Sequence, residues 1–306
     1  MNPAFAEAPA PFAFLGIDEG RQRLYRFEGG LTGPLWELDL AGYPQARALQ
    51  RVGPDRALVG YDRGFLELDI RTGELVDAQD RWRDVTSATR FPDGRTLLAG
   101  LDLDGRGGVT LLELDAHGAV TREARREGDY VRLTRPTQQG TWLVCMDDRV
   151  LETDGELREL RRFGAEGFKH AWSAHRFADG STLISAGYGA FMARFDAAGR
   201  LSLVFGAAGQ VPQEASPFFY AAFDVLADGR IAVANWQGHG PGNGSKGRQL
   251  IVFAPDGQYL ASWSDAGRIS SLQGLLILPE GGDGAGTAIP SEGADLPDRR
   301  RGTHED

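Results

Sequence analysis

The sequence predicts an all-β fold, a six-bladed β-propeller, from three observations. Short segments of alternating apolar and polar residues, separated by Gly-containing turns, recur along the 306-residue chain, as in consecutive antiparallel strands. Two series of turns interleave with a period of about 40–45 residues, which is the length of a four-stranded propeller blade. Finally, the segments left over at the two ends of the chain complement one another and together make one further blade.

The clearest blade covers residues 170–206, HAWSAHRFADGSTLISAGYGAFMARFDAAGRLSLVFG, which reads as four strands. Turns after the first strand recur at Gly53-Pro54-Asp55, Pro92-Asp93-Gly94, Gln139-Gly140, Asp179-Gly180 and Asp228-Gly229. Turns after the third strand recur at Thr72-Gly73, His117-Gly118, Asp154-Gly155, Ala198-Gly199 and Asp256-Gly257. Their strict alternation predicts five complete blades, at about residues 44–80, 84–126, 129–163, 169–206 and 219–264.

The sixth blade is predicted to be shared between the two ends of the chain. Residues 269–278, ISSLQGLLIL, read as an inner strand with no partner strands after it. Residues 12–40 read as three strands that lack an inner one. We therefore expect residues 272–278 to pair with residues 13–18, because this closure removes the open sheet edges that a lone end blade would expose.

The domain organisation follows from this reading. Residues 12–280 form the propeller, residues 1–11 a flexible N-terminal tail and residues 281–306, rich in Gly, Pro and charge, a disordered C-terminal tail. The N-terminus lacks the basic and apolar regions of a complete signal peptide, although Ala4-Phe5-Ala6 looks like a cleavage site. Two locations are therefore compatible with the sequence: the cytoplasm or, if the N-terminus is a trimmed signal peptide, the periplasm or the cell exterior.

The composition of the chain limits the classes of molecule that it is expected to bind. The net charge of −10 argues against nucleic-acid binding. No apolar run approaches the roughly 18 residues of a membrane span. The single cysteine, Cys145, excludes an internal disulfide, and basic residues are almost all Arg, a bias typical of GC-rich bacterial genomes. We expect a monomer with a small polar molecule or a peptide as its partner.

Chain direction predicts where function lies. Each segment enters a blade from one face of the disc, here called the upper face, and the loops after each second strand return to it, so binding residues are expected there. At this position four blades carry an aspartate: Asp18, Asp62, Asp102 and Asp147. These carboxylates either surround the axis and bind a cation or polar ligand, or begin tight turns by bonding their own backbone.

Residues 229–263, GRIAVANWQGHGPGNGSKGRQLIVFAPDGQYLASW, resemble the NHL-type repeat, a likeness that extends over residues 44–264. The resemblance implies a six-bladed propeller, a fold that serves lactonases, lyases, sulfotransferases and binding modules. Gluconolactonase-like members would imply a metal held by Glu, Asn and Asp, and no such set can be placed residue by residue in this chain. Residues 170–184 are similar to the His-bearing strand of arylsulfotransferase-like propellers, without their further His, Asn and Arg residues.

Two segments depart from the repeat, and such departures often mark function. In residues 168–175, His170 is expected near the upper face and His175 deeper, as a core histidine. Five positions apart on a strand, they point to opposite faces and cannot share a metal without a bulge. The second departure, residues 235–244, is either a flexible loop or a ligand loop in which glycines allow close approach of the backbone.

The candidate ligand-binding residues are His170, Tyr188, Asn235, Trp236 and His239. We predict that Trp236 and His239 approach His170 and Tyr188 across the upper face and form one wall of a pocket. As a loop residue, Trp236 is expected to contribute little to the core. The sequence assigns no metal ligand, no catalytic residue and no cofactor.

The sequence therefore favours binding of a small polar ligand, such as a saccharide, or of a peptide at the axial mouth of the propeller. The absence of a complete catalytic motif supports this interpretation. The alternative is an enzyme, a hydrolase, lyase or transferase, with His170 and His239 as acid and base near neutral pH.

Overall fold

The computed structural model describes residues 8–279. The tails predicted at 1–11 and 281–306 lie mostly or wholly outside the described residues. Within residues 8–11, the carbonyl oxygen of Ala8 accepts a hydrogen bond from Trp263 Nε1, and the amide of Ala10 donates to the carbonyl of Leu31. No helix in residues 8–279 is long and apolar enough to cross a membrane.

The described residues form 24 strands in six antiparallel sheets of four strands each, one sheet per blade. Blade 1 contains β4 (Ala48–Arg51), β5 (Arg56–Tyr61), β6 (Gly64–Asp69) and β7 (Leu75–Asp80). Blade 2 contains β8 (Val85–Arg90), β9 (Thr96–Leu101), β10 (Val109–Leu114) and β11 (Val120–Arg126). Blade 3 contains β12 (Thr134–Pro136), β13 (Trp142–Cys145), β14 (Val150–Thr153) and β15 (Glu159–Phe163). Blades 4 and 5 contain β16 (Ala174–Arg176), β17 (Thr182–Ser185), β18 (Met192–Phe195) and β19 (Leu201–Phe205); and β20 (Phe219–Val225), β21 (Ile231–Trp236), β22 (Leu250–Phe253) and β23 (Tyr259–Trp263). Blade 6 contains β24 (Leu272–Ile277), β1 (Phe14–Asp18), β2 (Arg23–Phe27) and β3 (Pro34–Asp39).

This architecture confirms the predicted six-bladed propeller, including the blade shared between the two ends of the chain. β24 is the inner strand of blade 6 and pairs antiparallel with β1, with Phe14 opposite Ile277 and Gly16 opposite Leu275. Gly16 leaves room for the Leu272 side chain, since a Cβ atom at that position would lie 2.8 Å from Leu272 Cδ1. The ring of blades thus closes through a pairing between the first and last strands.

The core lies between neighbouring blades. Leu15 and Ile17 of blade 6, for example, share one apolar cluster with Val59, Leu66 and Leu68 of blade 1. The outermost strands face solvent, and β7 is exposed along almost its whole length. Since each blade buries its inner three strands against its neighbours, most of the apolar area is removed from water only when the ring is complete.

All six inner strands run from the upper face to the opposite, lower face, and a cavity lies at each end of the axis. The upper cavity has a volume of about 350 Å³ and is lined by the loops that lead into inner strands or follow second strands, and by the adjoining strand ends. The lower cavity has a volume of about 340 Å³ and is lined by the far ends of the inner strands. A short 3₁₀ helix, Gln213–Ala215, lies before β20.

Candidate upper-face binding site

The upper cavity contains four of the five residues proposed from the sequence. Its lining includes His170, Tyr188, Trp236 and His239, which come from blades 4 and 5. Their rings follow one another around the wall, with centroid distances of 5.3 Å from His170 to Tyr188, 6.3 Å from Tyr188 to Trp236 and 4.6 Å from Trp236 to His239. We call these four residues the aromatic wall. Tyr188 is 38% exposed, so its ring is accessible from the cavity.

Trp236 is not a loop residue, and the expectation that it contributes little to the core is wrong. It is the last residue of β21 and is only 3% exposed. It belongs to an apolar cluster with Trp172 and Leu250, and its ring packs edge to face on Phe219 at 5.3 Å. The side chain therefore both supports blade 5 and presents an edge to the cavity.

Asn235 has no place in the lining of the cavity. Its side chain is fully buried, and Nδ2 donates to the carbonyl oxygens of Ala215, Ser216 and Arg248 at 3.1, 3.2 and 2.8 Å. Its Oδ1 accepts the amide of Phe218 at 2.9 Å. All of its side-chain hydrogen-bonding groups are bonded to backbone atoms. Asn235 therefore fixes the segment that leads into β20 and does not form part of the cavity surface.

His170 adopts an unusual backbone conformation that aims its ring at the cavity. Its φ angle is 58°, and its amide donates to Asp147 Oδ1 at 2.9 Å. Gly187 makes this possible, because a Cβ atom there would lie 2.2 Å from the carbonyl oxygen of His170. The imidazole stacks near Tyr130 at 4.6 Å. Burial lowers the pKa of His170, against the charge of Asp147, and so favours the neutral form of the ring.

The loop that carries His239 is organised by internal hydrogen bonds. Nδ2 of Asn243 lies within 3.0 Å of the carbonyl oxygens of Gly238, His239 and Gly240. The hydroxyl of Ser270, near the start of the closing strand, donates to the carbonyl of Gly240 at 2.8 Å. These contacts argue against the flexible-loop interpretation, since the turn-forming residues of this segment are fixed by specific partners.

Glu19 connects this loop to blade 6, and the sequence analysis missed it. Its Oε1 accepts from His239 Nδ1 at 2.9 Å, and its Oε2 accepts from Trp236 Nε1 at 3.1 Å. The available signal was its position directly after Asp18, one residue beyond the aligned strand-end aspartates. The carboxylate orients both rings at the lip of the cavity.

Two arginines of the upper cavity were also missed. Arg47 precedes β4 in blade 1 and is 7% exposed, and Arg132 precedes β12 in blade 3. Burial, followed by repulsion from Arg132, lowers the pKa of Arg47 to about 10. The signal in the sequence was an arginine flanked by apolar residues just before an inner strand, in Ala46-Arg47-Ala48 and Val131-Arg132-Leu133.

The strand-end aspartates do not form a cation site. Asp18 is fully buried and accepts the amides of Gly20, Ser270 and Ser271 at 3.0, 2.8 and 2.8 Å, although burial still raises its pKa. Asp102 likewise accepts an amide of its own loop. Within residues 8–279, no three His, Cys, Asp or Glu side chains gather as metal ligands would. The turn-forming interpretation therefore applies to Asp18 and Asp102.

The lower cavity carries a separate set of titratable groups. His175 lines this cavity instead of the interblade core, and burial lowers its pKa to about 4. Burial raises the pKa of Asp224 to about 6, against hydrogen bonds from the amides of Ile277 and Val225. Arg135 lies in the same lining, and its charge lowers the pKa of both neighbours.

Comparison with known proteins supports the fold. Neither a protein-family model nor a curated protein matches the chain. Among solved structures, a protein of unknown function from Bacteroides caccae is 20% identical, with a TM-score of 0.70 over 87% of this chain and 98% of that one. Streptogramin B lyase is 11% identical, with a TM-score of 0.56 over 85% of this chain and 83% of that one. The WD40 propeller domain of Doa1 is 15% identical, with a TM-score of 0.54 over 72% of this chain and 71% of that one. At these identities the likeness shows the fold alone: the chain is a six-bladed β-propeller.

Proposed function

We propose that the protein binds a small polar ligand in the upper cavity. The observation that carries the proposal is a cavity of about 350 Å³ at the axis, within the size range of small-molecule sites, in which aromatic rings stand beside charged and polar groups. Side chains from several blades converge there, as in a site assembled by the whole fold. Tyr188 offers apolar ring surface, Trp236 adds the edge of its buried ring, and His239 offers a hydrogen-bonding group that is largely exposed to solvent.

A saccharide fits this description, because sugar rings combine apolar faces that pack on aromatic side chains with hydroxyls that need polar partners. A peptide would use the same aromatic surface and would extend beyond the rim of the cavity. The two classes of ligand are separated by the binding experiment.

The experiment measures binding by calorimetry and by the shift in melting temperature across a panel of mono- and disaccharides and short peptides. Tyr188→Ala removes the most accessible ring of the aromatic wall and is expected to weaken binding at least about tenfold, since aromatic contacts carry a large share of binding energy. The matched control is Tyr259→Ala on β23, the outer strand of blade 5. The proposal fails if no member of the panel shifts the melting temperature, or if both variants bind as the wild type does.

A second candidate function is acid–base catalysis in the same cavity. The observation that favours it is that each histidine lies beside a carboxylate, His239 Nδ1 at 2.9 Å from Glu19 and His170 Nε2 at 3.5 Å from Asp147. Such pairs orient an imidazole for proton transfer. Once a ligand is known, it is incubated with the wild type and with His170→Gln. Conversion of the ligand by the wild type, lost in a variant that still binds it, would establish catalysis. A ligand that the wild type leaves unchanged would exclude catalysis.

A further inference from the structure

Arg47, which is buried, and Arg132, which is half-buried, stand out because neither charge has a carboxylate partner. Among residues 8–279, no Asp or Glu oxygen lies within 4.0 Å of either guanidinium. Arg176, whose side chain is only 9% exposed, shows the usual arrangement: its Nη2 lies 2.7 Å from Glu152 Oε2. Buried charges are normally paired in this way because an isolated one is costly to remove from water.

The two cations share one cavity and are already oriented. Arg47 donates twice to Gln45, from Nε to the carbonyl oxygen at 3.0 Å and from Nη2 to the side-chain Oε1, and within residues 8–279 its Nη1 makes no hydrogen bond. Arg132 lies over the rings of Tyr130 at 4.1 Å and Trp172 at 5.5 Å and donates from Nη1 to the carbonyl of Val131 at 3.0 Å. Within residues 8–279, the Nε atom of Arg132 is buried and has no hydrogen-bond partner. Both side chains are therefore held in place while donors remain free.

The carboxylates of the cavity do not neutralise these cations. Both oxygens of Asp18 accept backbone amides of its own turn and of the segment before β24. Both oxygens of Glu19 accept from the rings of Trp236 and His239. The nearby acids Asp62 and Asp147 act on the arginines only through longer-range charge, as Glu19 also does on Arg47. Within the described part of the chain, the cavity thus presents two cations and no carboxylate that bonds either of them.

We propose that the ligand of the upper cavity carries an oxyanion, a carboxylate, phosphate or sulfate group, which Arg47 and Arg132 bind together. This inference rests on the proposed function and specifies its ligand class: a small organic anion whose ring or apolar part lies against the aromatic wall. A planar guanidinium fork matches the oxygens of such groups, and the low polarity of the aromatic surroundings strengthens each charged hydrogen bond. The anion supplies a directly bonded counter-charge, which no described residue of the chain supplies.

The experiment compares matched pairs of charged and neutral compounds at constant ionic strength, with melting temperature and calorimetry as readouts. The pairs are glucose 6-phosphate with glucose and galacturonate with galactose, and inorganic phosphate and sulfate are tested alone. We expect the charged member of a pair to bind at least about tenfold more tightly, because charge-assisted hydrogen bonds are roughly twice as strong as neutral ones. Binding of neutral and charged members with equal affinity would overturn the inference and leave the proposed function standing. Binding of neither would remove both.

Two variants locate the effect. Arg47→Gln and Arg132→Gln are each expected to lower the affinity for the charged compound at least about tenfold and to leave the affinity for its neutral partner unchanged. The control is Arg200→Gln, whose side chain is 81% exposed on blade 4. Arg47→Gln has a second readout, since removing an unpaired buried charge should leave the melting temperature of the free protein unchanged or raised. The proposal is contradicted if both variants still bind the charged compound more tightly than its neutral partner. It is also contradicted if Arg47→Gln lowers the melting temperature of the free protein and keeps the affinity for anions.

Discussion

The indole Nε1 of Trp236 donates a hydrogen bond of 3.1 Å to Glu19 Oε2, across a sequence separation of 217 residues. Trp236 ends the second strand of blade 5, and Glu19 follows the second strand of blade 6, so the bond crosses the boundary between the last complete blade and the shared one. The second carboxylate oxygen holds His239. The lip of the upper cavity is thus assembled only when the two ends of the chain meet.

The first prediction concerns Glu19. Glu19→Ala removes the acceptor for both Trp236 and His239, and it should increase hydrogen exchange in residues 237–244 while lowering the free energy of unfolding by about 1–2 kcal/mol. Exchange measured by mass spectrometry checks the loop. The control is Glu37→Ala, at an exposed position of β3 in the same blade. It should change neither the hydrogen exchange of residues 237–244 nor the free energy of unfolding. Equal exchange in the loop of both variants would show that Glu19 does not hold it.

The second prediction separates the two roles of Trp236. Trp236→Ala should lower the free energy of unfolding by about 3–5 kcal/mol, because the indole is buried among Phe219 and Trp172. Trp236→Phe keeps most of that packing and loses only the hydrogen bond to Glu19, so it should cost about 1–2 kcal/mol. Urea denaturation of both variants checks the difference. A Phe variant as unstable as the Ala variant would mean that the hydrogen bond, and not packing, dominates.

The third prediction concerns ring closure. A chain that ends at residue 264 lacks β24 and exposes the edge of β1, so it should lose cooperative unfolding, whereas a chain that ends at residue 281 should keep it. As a milder test, Leu272→Ala at a fully buried position should cost about 2–4 kcal/mol. Leu260→Ala, at a position 46% exposed on β23, is the control and should stay within about 0.5 kcal/mol. Similar melting of the two truncated chains would contradict closure by β24.

The fold was predictable because its signals are local. Turns such as Asp179-Gly180 and Ala198-Gly199 mark strand ends by their own chemistry, and each glycine there has a positive φ angle. Repetition of these turns sets the number of blades, and the incomplete segments at residues 12–40 and 269–278 complement each other in strand count. No long-range information was needed beyond the requirement that sheet edges be paired.

The candidate site was predictable only in part, because its chemistry depends on which side chains share the axis. The aromatic wall comes from adjacent blades and a visibly irregular loop, so His170 and Trp236 could be brought together from chain order. Arg47 and Arg132 come from blades 1 and 3, and the lack of a counter-charge appears only once all neighbours are placed. Asn235 looked like a ligand contact since nothing in its local sequence reveals the three carbonyls that its amide holds.

The last prediction uses Asp224 at the lower cavity. Burial raises its pKa to about 6, above the value of about 3.9 expected in the unfolded chain, so the folded state holds the proton more tightly. The stabilisation from this protonation is complete below pH 4 and is lost as the pH rises through 6. Asp224→Asn mimics the protonated form and should therefore gain about 2–3 kcal/mol relative to the wild type between pH 4 and pH 7.

Urea denaturation of both proteins at pH 4, 5, 6 and 7 measures this gain, and taking the difference between them removes the contributions of other titrating groups, His175 included, to first order. Asp228→Asn is the control on the same blade: Asp228 is an exposed turn residue whose pKa is lowered by hydrogen bonds from the amide and side chain of Arg230. The stability of Asp228→Asn relative to the wild type should not rise over this pH range. The reason is that the folded protein favours the ionised form of Asp228, which the substitution removes. A gain for Asp224→Asn that stays constant from pH 4 to pH 7 would mean that the carboxyl is ionised throughout, and that the lower cavity solvates its charge.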